Sequence, residues 1–148
     1  MRVVFTNGCF DLFHDGHAKL LLVCVNLLDD GPGALIVGLN RDAAVRFLKG
    51  EGRPVNSYVK RAGDIAQYCV HTLGRVPQII PFGIDPYPLI DAIEPDFLVK
   101  GDDWSETSIV GAHRVALYGG AVIRVPRDDG PSTSKIIAAQ QDVPWEVG

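Results

Sequence analysis

A chain of 148 residues, 47% hydrophobic and 22% charged, has the size and make-up of one folded domain with a core of its own. A net charge of −4 speaks against general nucleic-acid binding, no apolar run is long enough to span a membrane, and no basic-then-apolar leader opens the sequence. A cytoplasmic protein is expected, with Cys9, Cys24 and Cys69 reduced: they are too few and too far apart for a disulfide framework or a cysteine zinc site.

Val3 to Thr6 reads as a short buried strand and His17 to Leu28 as a largely apolar helix, stopped by the turn cluster Asp29-Asp30-Gly31-Pro32-Gly33. Ala34 to Asn40 is a continuous apolar run, as in a strand covered on both faces. A short helix from Asp42 to Leu48 follows, with Lys49-Gly50 as its stop, and Gly50 to Asn56 is a loop. Ser57 is a good N-cap for a helix running to Leu73. Then come a strand at Gln78 to Phe82, a helix at Pro86 to Ile93, a strand at Phe97 to Lys100 and a helix from Glu106 to Tyr118. Gly119-Gly120 ends that helix, Ala121 to Val125 is the fifth strand, and Ser132-Thr133-Ser134 caps a last helix to Gln141. Cys24 and Cys69 fall at core positions.

Alternating strands and helices with short connections make a parallel sheet joined by right-handed crossovers. The expected fold is a single doubly wound, Rossmann-like α/β domain over residues 1–141, with five parallel strands, helices on both faces and a tail at 142–148. In such folds ligands bind outside the carboxyl ends of the strands, where strand order reverses. Nearly all the unusual polar residues of this chain follow a strand end.

The stretch from Asn7 to His17 carries most of them. His14 stands at the mouth of the first helix and His17 at its start, so both imidazoles can reach an anion held on helix N-terminal N–H groups. Gly8 and Gly16 permit close backbone approach. The alternative is that the two histidines merely cap the helix. A zinc pair is disfavoured for want of further ligands at usual spacings. From Arg41 to Arg61 there are six basic residues against two acidic ones, a local charge suited to a small anionic ligand. Within it, Lys49 and Arg53 frame a Lys-Gly-x-Gly-Arg loop able to fold over phosphate, although a lysine at a helix C-terminus is also ordinary. Ser132, Thr133 and Ser134 offer hydroxyls and N–H groups at a helix start. Asp102, Asp103 and Trp104 follow the fourth strand, where carboxylates can meet sugar hydroxyls and Trp104 can wall a pocket; a turn of solvated aspartates is the alternative. Asp11 and Asp42 sit at two further strand ends. No P-loop and no dinucleotide-binding G-x-G-x-x-G occurs.

Gly8-Cys9-Phe10-Asp11-Leu12-Phe13-His14-Asp15-Gly16-His17 resembles the H-x-G-H signature of the cytidylyltransferase-like nucleotidyltransferases. The likeness continues, in order, through Asn40-Arg41-Asp42, Leu48-Lys49-Gly50, Arg53-Pro54-Val55-Asn56, Arg61, Pro95 to Asp102 and Gly130 to Ser134. It implies transfer of a nucleoside monophosphate from a triphosphate, accompanied by Mg²⁺, to a phosphorylated acceptor. Small-molecule substrates and a homodimer are expected, without nucleic acid or membrane. By the same resemblance His14, His17 and Lys49 are catalytic. Gly8, Cys9, Phe10, Gly16, Arg61, Lys100, Gly101, Asp102, Arg127, Ser132, Thr133 and Ser134 attend the nucleotide. Asp11, Asp42, Arg53, Asp103 and Trp104 attend the acceptor. Relatives often carry a glutamate where this chain has Val59. Asp102-Asp103-Trp104 is similar to glycerol-3-phosphate cytidylyltransferases. Ile109-Val110-Gly111 to Gly119-Gly120-Ala121-Val122 is more like the adenylyltransferase domain of heptose-phosphate enzymes. The expected reaction is therefore adenylyl transfer to a sugar 1-phosphate such as D-glycero-β-D-manno-heptose 1-phosphate. Cytidylyl transfer to glycerol 3-phosphate and a turnover-free nucleotide-binding regulatory module are the alternatives.

Overall fold

The computed structural model describes residues 1–101 and 109–126. Five strands, β1 (Arg2–Gly8), β2 (Gly33–Asn40), β3 (Gln78–Phe82), β4 (Phe97–Gly101) and β5 (Ala121–Val125), form one sheet in the order β3-β2-β1-β4-β5. Every pairing is parallel, with Thr6 opposite Val37 on one side and Val99 on the other. The chain thus winds outward from β1 to β3, returns to β4 beside β1, and winds the other way. The reversal lies between β1 and β4, and ligands of such sheets bind beyond the carboxyl ends there.

Successive side chains of β1 serve opposite faces, as strand geometry requires. Val4 joins the core under α1 (Asp15–Leu28) and α3 (Tyr58–Gln67), while Phe5 joins the core under α4 (Tyr87–Ile93) and α5 (Ala112–Leu117). Both are fully enclosed, so β1 is apolar on both faces. α1 turns Leu20, Leu21, Cys24, Leu27 and Leu28 to the sheet at helical spacing and stops at Asp29, whose φ of 54° ends the hydrogen-bond ladder. Each enclosed leucine stabilises the fold by roughly 1.5–3 kcal/mol. Cys24 and Cys69 are buried, as their positions in the sequence imply, and burial pushes the Cys69 thiol up to about 11.

Two helices differ from expectation. Ser57 does cap α3, accepting from the Lys60 N–H, but past Gln67 the helix widens into a π-helical segment, Tyr68–Leu73, closed by Gly74 at φ 74°. α5 begins only at Ala112: Gly111 has φ 90°, and a Cβ there would lie 2.8 Å from Ile90 Cδ1. Residues 109–111 are therefore a turn that fits against α4. The stretch 102–108 and the last expected helix lie outside the described residues. α2 (Asp42–Lys49) fills the connection from β2 towards α3 and ends with Arg46 and Lys49 in its last turn.

Candidate active site

α1 begins at Asp15, two residues earlier than expected, because His14 is its N-cap. His14 Nδ1 accepts from the Gly16 N–H at 3.0 Å, and His17 Nδ1 accepts from the His14 N–H at 3.2 Å. The two form a reciprocal capping box built from imidazoles. Their rings stack with centroids 3.8 Å apart, and Phe10 and Phe13 lean on His17 at 5.1 and 5.5 Å. The cap settles the tautomer: a neutral imidazole that accepts at Nδ1 carries its proton on Nε2. Capping and ligand binding thus use opposite edges of each ring and are compatible. One expectation changes, since the Gly16 N–H is occupied by His14. Gly16 itself is explained by contact. A Cβ there would lie 2.9 Å from His14 Cε1, so only glycine lets the ring fold back onto the helix. Gly8 is under no such pressure; a Cβ would meet Phe10 at an ordinary 3.4 Å.

Around the carboxyl end of β1 the field is positive. Cys9, half-buried, hydrogen-bonds through Sγ to Asn40 Oδ1 at 3.4 Å. Its thiol is pushed up by burial and pulled back by four cations, Lys49, Arg61, Lys100 and Arg53. These charges come from α2, α3, β4 and the loop after α2, and the fold brings them to one place. Lys49 is exposed and makes no hydrogen bond or ion pair with the described residues. Lys100 is buried beside the strand reversal, donating to the Asn7 carbonyl at 2.6 Å and to Asn7 Oδ1 at 3.0 Å. Gly101 ends β4 next to it.

Asp11 and Arg61 have a different place from the one expected. The Asp11 carboxylate is enclosed, its side chain 1% exposed, and accepts from Arg53 Nε at 2.9 Å, the Val55 N–H at 2.7 Å and the Asn56 N–H at 2.9 Å. Arg61 is wholly buried. It donates to the carbonyls of Asn56, Cys9 and Asn40 at 3.0, 2.7 and 2.9 Å and to Asp42 Oδ1 at 2.6 Å. Both groups spend their polar atoms on the protein, and together they tie the ends of β1 and β2 to the loop that carries Arg53. Asp42, expected at the acceptor, spends one oxygen on Arg61 and remains partly exposed. Phe10 and Leu12, on either side of Asp11, have left-handed φ of 49° and 56°. Asn40, part of the resemblance but assigned no role there, reaches across to the Gly83 carbonyl at 2.7 Å.

The Asp11 contacts carry a pH dependence. Burial raises the carboxyl, but the Asn56, Val55 and Arg53 hydrogen bonds outweigh it and hold the group below its ordinary 3.8. A carboxyl lowered in the folded state stabilises it above the unfolded value and loses that contribution as pH falls through the folded one. Urea unfolding of wild type and Asp11→Asn should therefore show a stability gap at pH 7 that narrows below about pH 4. An equal gap at pH 7 and pH 3 would contradict the assignment.

Asp102, Asp103, Trp104, Arg127, Ser132, Thr133 and Ser134 lie outside the described residues. Among the described residues no group of three His, Cys, Asp or Glu side chains is arranged to hold a metal ion, and no helix is long and apolar enough to cross a membrane.

Residues 5–139 match the family model described as cytidylyltransferase-like. The bifunctional protein HldE of Syntrophotalea carbinolica is 44% identical over 136 residues, which is 91% of this chain and 26% of that protein. The same-named protein of Gluconobacter oxydans is 41% identical over 97% of this chain and 28% of its own length. The chain spans about a quarter of the length of these curated relatives. Among solved structures, the lipopolysaccharide core biosynthesis protein from Thermoplasma volcanium superposes with a TM-score of 0.63 at 22% identity. That match covers 88% of this chain and 99% of the other, and it is a likeness of fold.

Proposed function

Since the chain belongs to the cytidylyltransferase-like family, we propose that it is a nucleotidyltransferase that transfers an adenylyl group from ATP to a sugar 1-phosphate, such as D-glycero-β-D-manno-heptose 1-phosphate. The observation that carries the chemistry is the stacked His14–His17 pair, with each Nδ1 in the helix cap and each Nε2 protonated, beside the cations at the strand reversal. The choice of substrates rests on the extent of the match to the HldE proteins.

The acceptor's phosphate oxygen attacks the α-phosphorus in line, the bond to the β-phosphate oxygen breaks, and pyrophosphate leaves with its Mg²⁺. A phosphate monoester is already nucleophilic near neutral pH, so the protein's task is to position the two phosphates and stabilise charge. The Nε2–H groups of His14 and His17 donate to the non-bridging oxygens as charge builds on them. Lys49 neutralises the incoming phosphates. Arg53 is held towards the acceptor side by Asp11. Gly8, Cys9, Phe10, Gly16, Lys100 and Gly101 border the nucleotide, and Asp102, Asp103, Trp104, Arg127 and Ser132 to Ser134 complete both subsites by family resemblance. Mg²⁺ enters as part of the substrate triphosphate. A cytoplasmic homodimer without nucleic acid belongs to the same proposal; the net charge of −4 supports the last point, and the exposed Phe47 and Val59 the dimer.

A matrix of ATP and CTP against sugar 1-phosphates and glycerol 3-phosphate, read by pyrophosphate release, tests this. ATP with a heptose 1-phosphate should give the highest kcat/KM. Release only with CTP and glycerol 3-phosphate would replace the substrates, and tight nucleotide binding with no release from any pair would remove the enzyme.

A further inference from the structure

An open groove of about 570 Å³ runs between the loop after β1 and the α3–π-helical segment, within the size range of small-molecule sites. We propose that this groove receives the hydroxyl-bearing part of the acceptor, while the acceptor's phosphate lies at His14, His17 and Lys49. The inference rests on the acceptor being a sugar phosphate, as proposed above.

Phe13 joins the two places. Its ring lies 5.5 Å from the His17 ring and 5.6 Å from Tyr68, which lines the groove, so the groove begins one side chain away from the histidine pair. Phe13 and Tyr68 give it an apolar surface against which the C–H face of a sugar can lie. Opposite polar groups stand beside them. Lys60 and Asp64 pair at 2.5 Å and so present a donor and an acceptor side by side. Asn56 also lines the groove with its backbone pinned, its N–H by Asp11 and its carbonyl by Arg61. The Tyr68 hydroxyl and the His71 imidazole make no hydrogen bond with the described residues.

Charge distinguishes the occupant. The Lys60–Asp64 pair leaves the groove without the cationic excess found around Cys9, so nothing in it attracts a triphosphate in preference to a neutral, hydroxyl-rich group. The backbone points the same way. A π-helical turn is far rarer than the α-helix it extends here and recurs at functional positions. Here it supplies Tyr68, His71 and Thr72 to a single wall of the groove.

Tyr68→Phe keeps the ring that packs on Phe13, and His71→Ala alters an exposed side chain, so both variants should fold. KM for D-glycero-β-D-manno-heptose 1-phosphate and for ATP would be measured with each, together with inhibition by inorganic phosphate. Each variant should raise the sugar-phosphate KM about fivefold to tenfold, the effect of one lost hydrogen bond. The double variant should raise it further, with ATP KM and phosphate inhibition unchanged within about twofold. A double variant with an unaltered sugar-phosphate KM, or one in which ATP KM rises in step, would overturn the assignment. A wild type that turns over no sugar 1-phosphate would overturn the acceptor reading and the groove with it. Normal turnover by wild type with unaltered variants would overturn the groove alone.

Discussion

Replacing His17 with alanine is expected to lower kcat by a factor on the order of 10²–10³, the effect of deleting one donor that stabilises transition-state charge. The same change removes half of the capping box, which costs about 1 kcal/mol of stability. The two effects separate in His17→Gln. Glutamine at this helix position can still reach back to the His14 N–H, as in the ordinary capping box, so stability should return to within about 0.5 kcal/mol of wild type. Turnover should stay low, because the capping oxygen sits one bond further along glutamine than Nδ1 does along histidine, so an amide held in the cap does not place its NH2 where Nε2 stood. If glutamine restored kcat together with stability, the histidines would be caps and nothing more.

The second large effect concerns stability. Arg61→Met would remove a wholly buried guanidinium whose donors reach three backbone carbonyls and Asp42. Methionine approximates the length of the side chain but leaves the carbonyls of Cys9, Asn40 and Asn56 without their partner. A loss of about 3–5 kcal/mol is expected, set by the desolvation of unpaired buried carbonyls. For a domain of this size it corresponds to a melting temperature lower by roughly 10 °C. Asp42→Asn should cost far less, because the Asp42 side chain is 45% exposed and water can replace the arginine. Urea titrations of both variants decide the matter. A loss below about 1 kcal/mol in Arg61→Met would mean that the strand ends hold themselves, and the brace would lose its role.

Local chemistry made the sheet legible in the sequence. The apolar runs at Val3, Ala34, Gln78, Phe97 and Ala121 each stop at a polar or glycine signal, and a strand stands at each of the five, β1 alone running two residues past its expected end, to Gly8. The histidine pair was equally legible, because its spacing is a local property of one turn of helix. Arg61 was not. From sequence it is one cation among six in a basic segment, and nothing nearby says that it turns inward. Its partners lie 52 and 21 residues away, at Cys9 and Asn40, and they converge only when β1 and β2 pair. The same holds for Asp11, whose three donors come from residues 53 to 56. A carboxylate at a strand end looks like a ligand until the loop that occupies it is in place. The groove depended on a further feature hidden from pattern: the helical spacing from Ser57 to Leu73 gives no sign of where an α-helix becomes a π-helix.

The left-handed backbone at Phe10 and Leu12 has a consequence for how the protein works over many cycles. For an L-residue that conformation costs about 1–2 kcal/mol, and here it brackets the carboxylate that gathers the Arg53 loop. The cohesion of the fold offsets this cost once, when the chain first assembles. A flexible loop would have to surrender its freedom each time substrate arrived, and affinity would fall accordingly. This one is held in shape by the Asp11 contacts, so under the function proposed above its order would not have to be formed anew each time a phosphate binds.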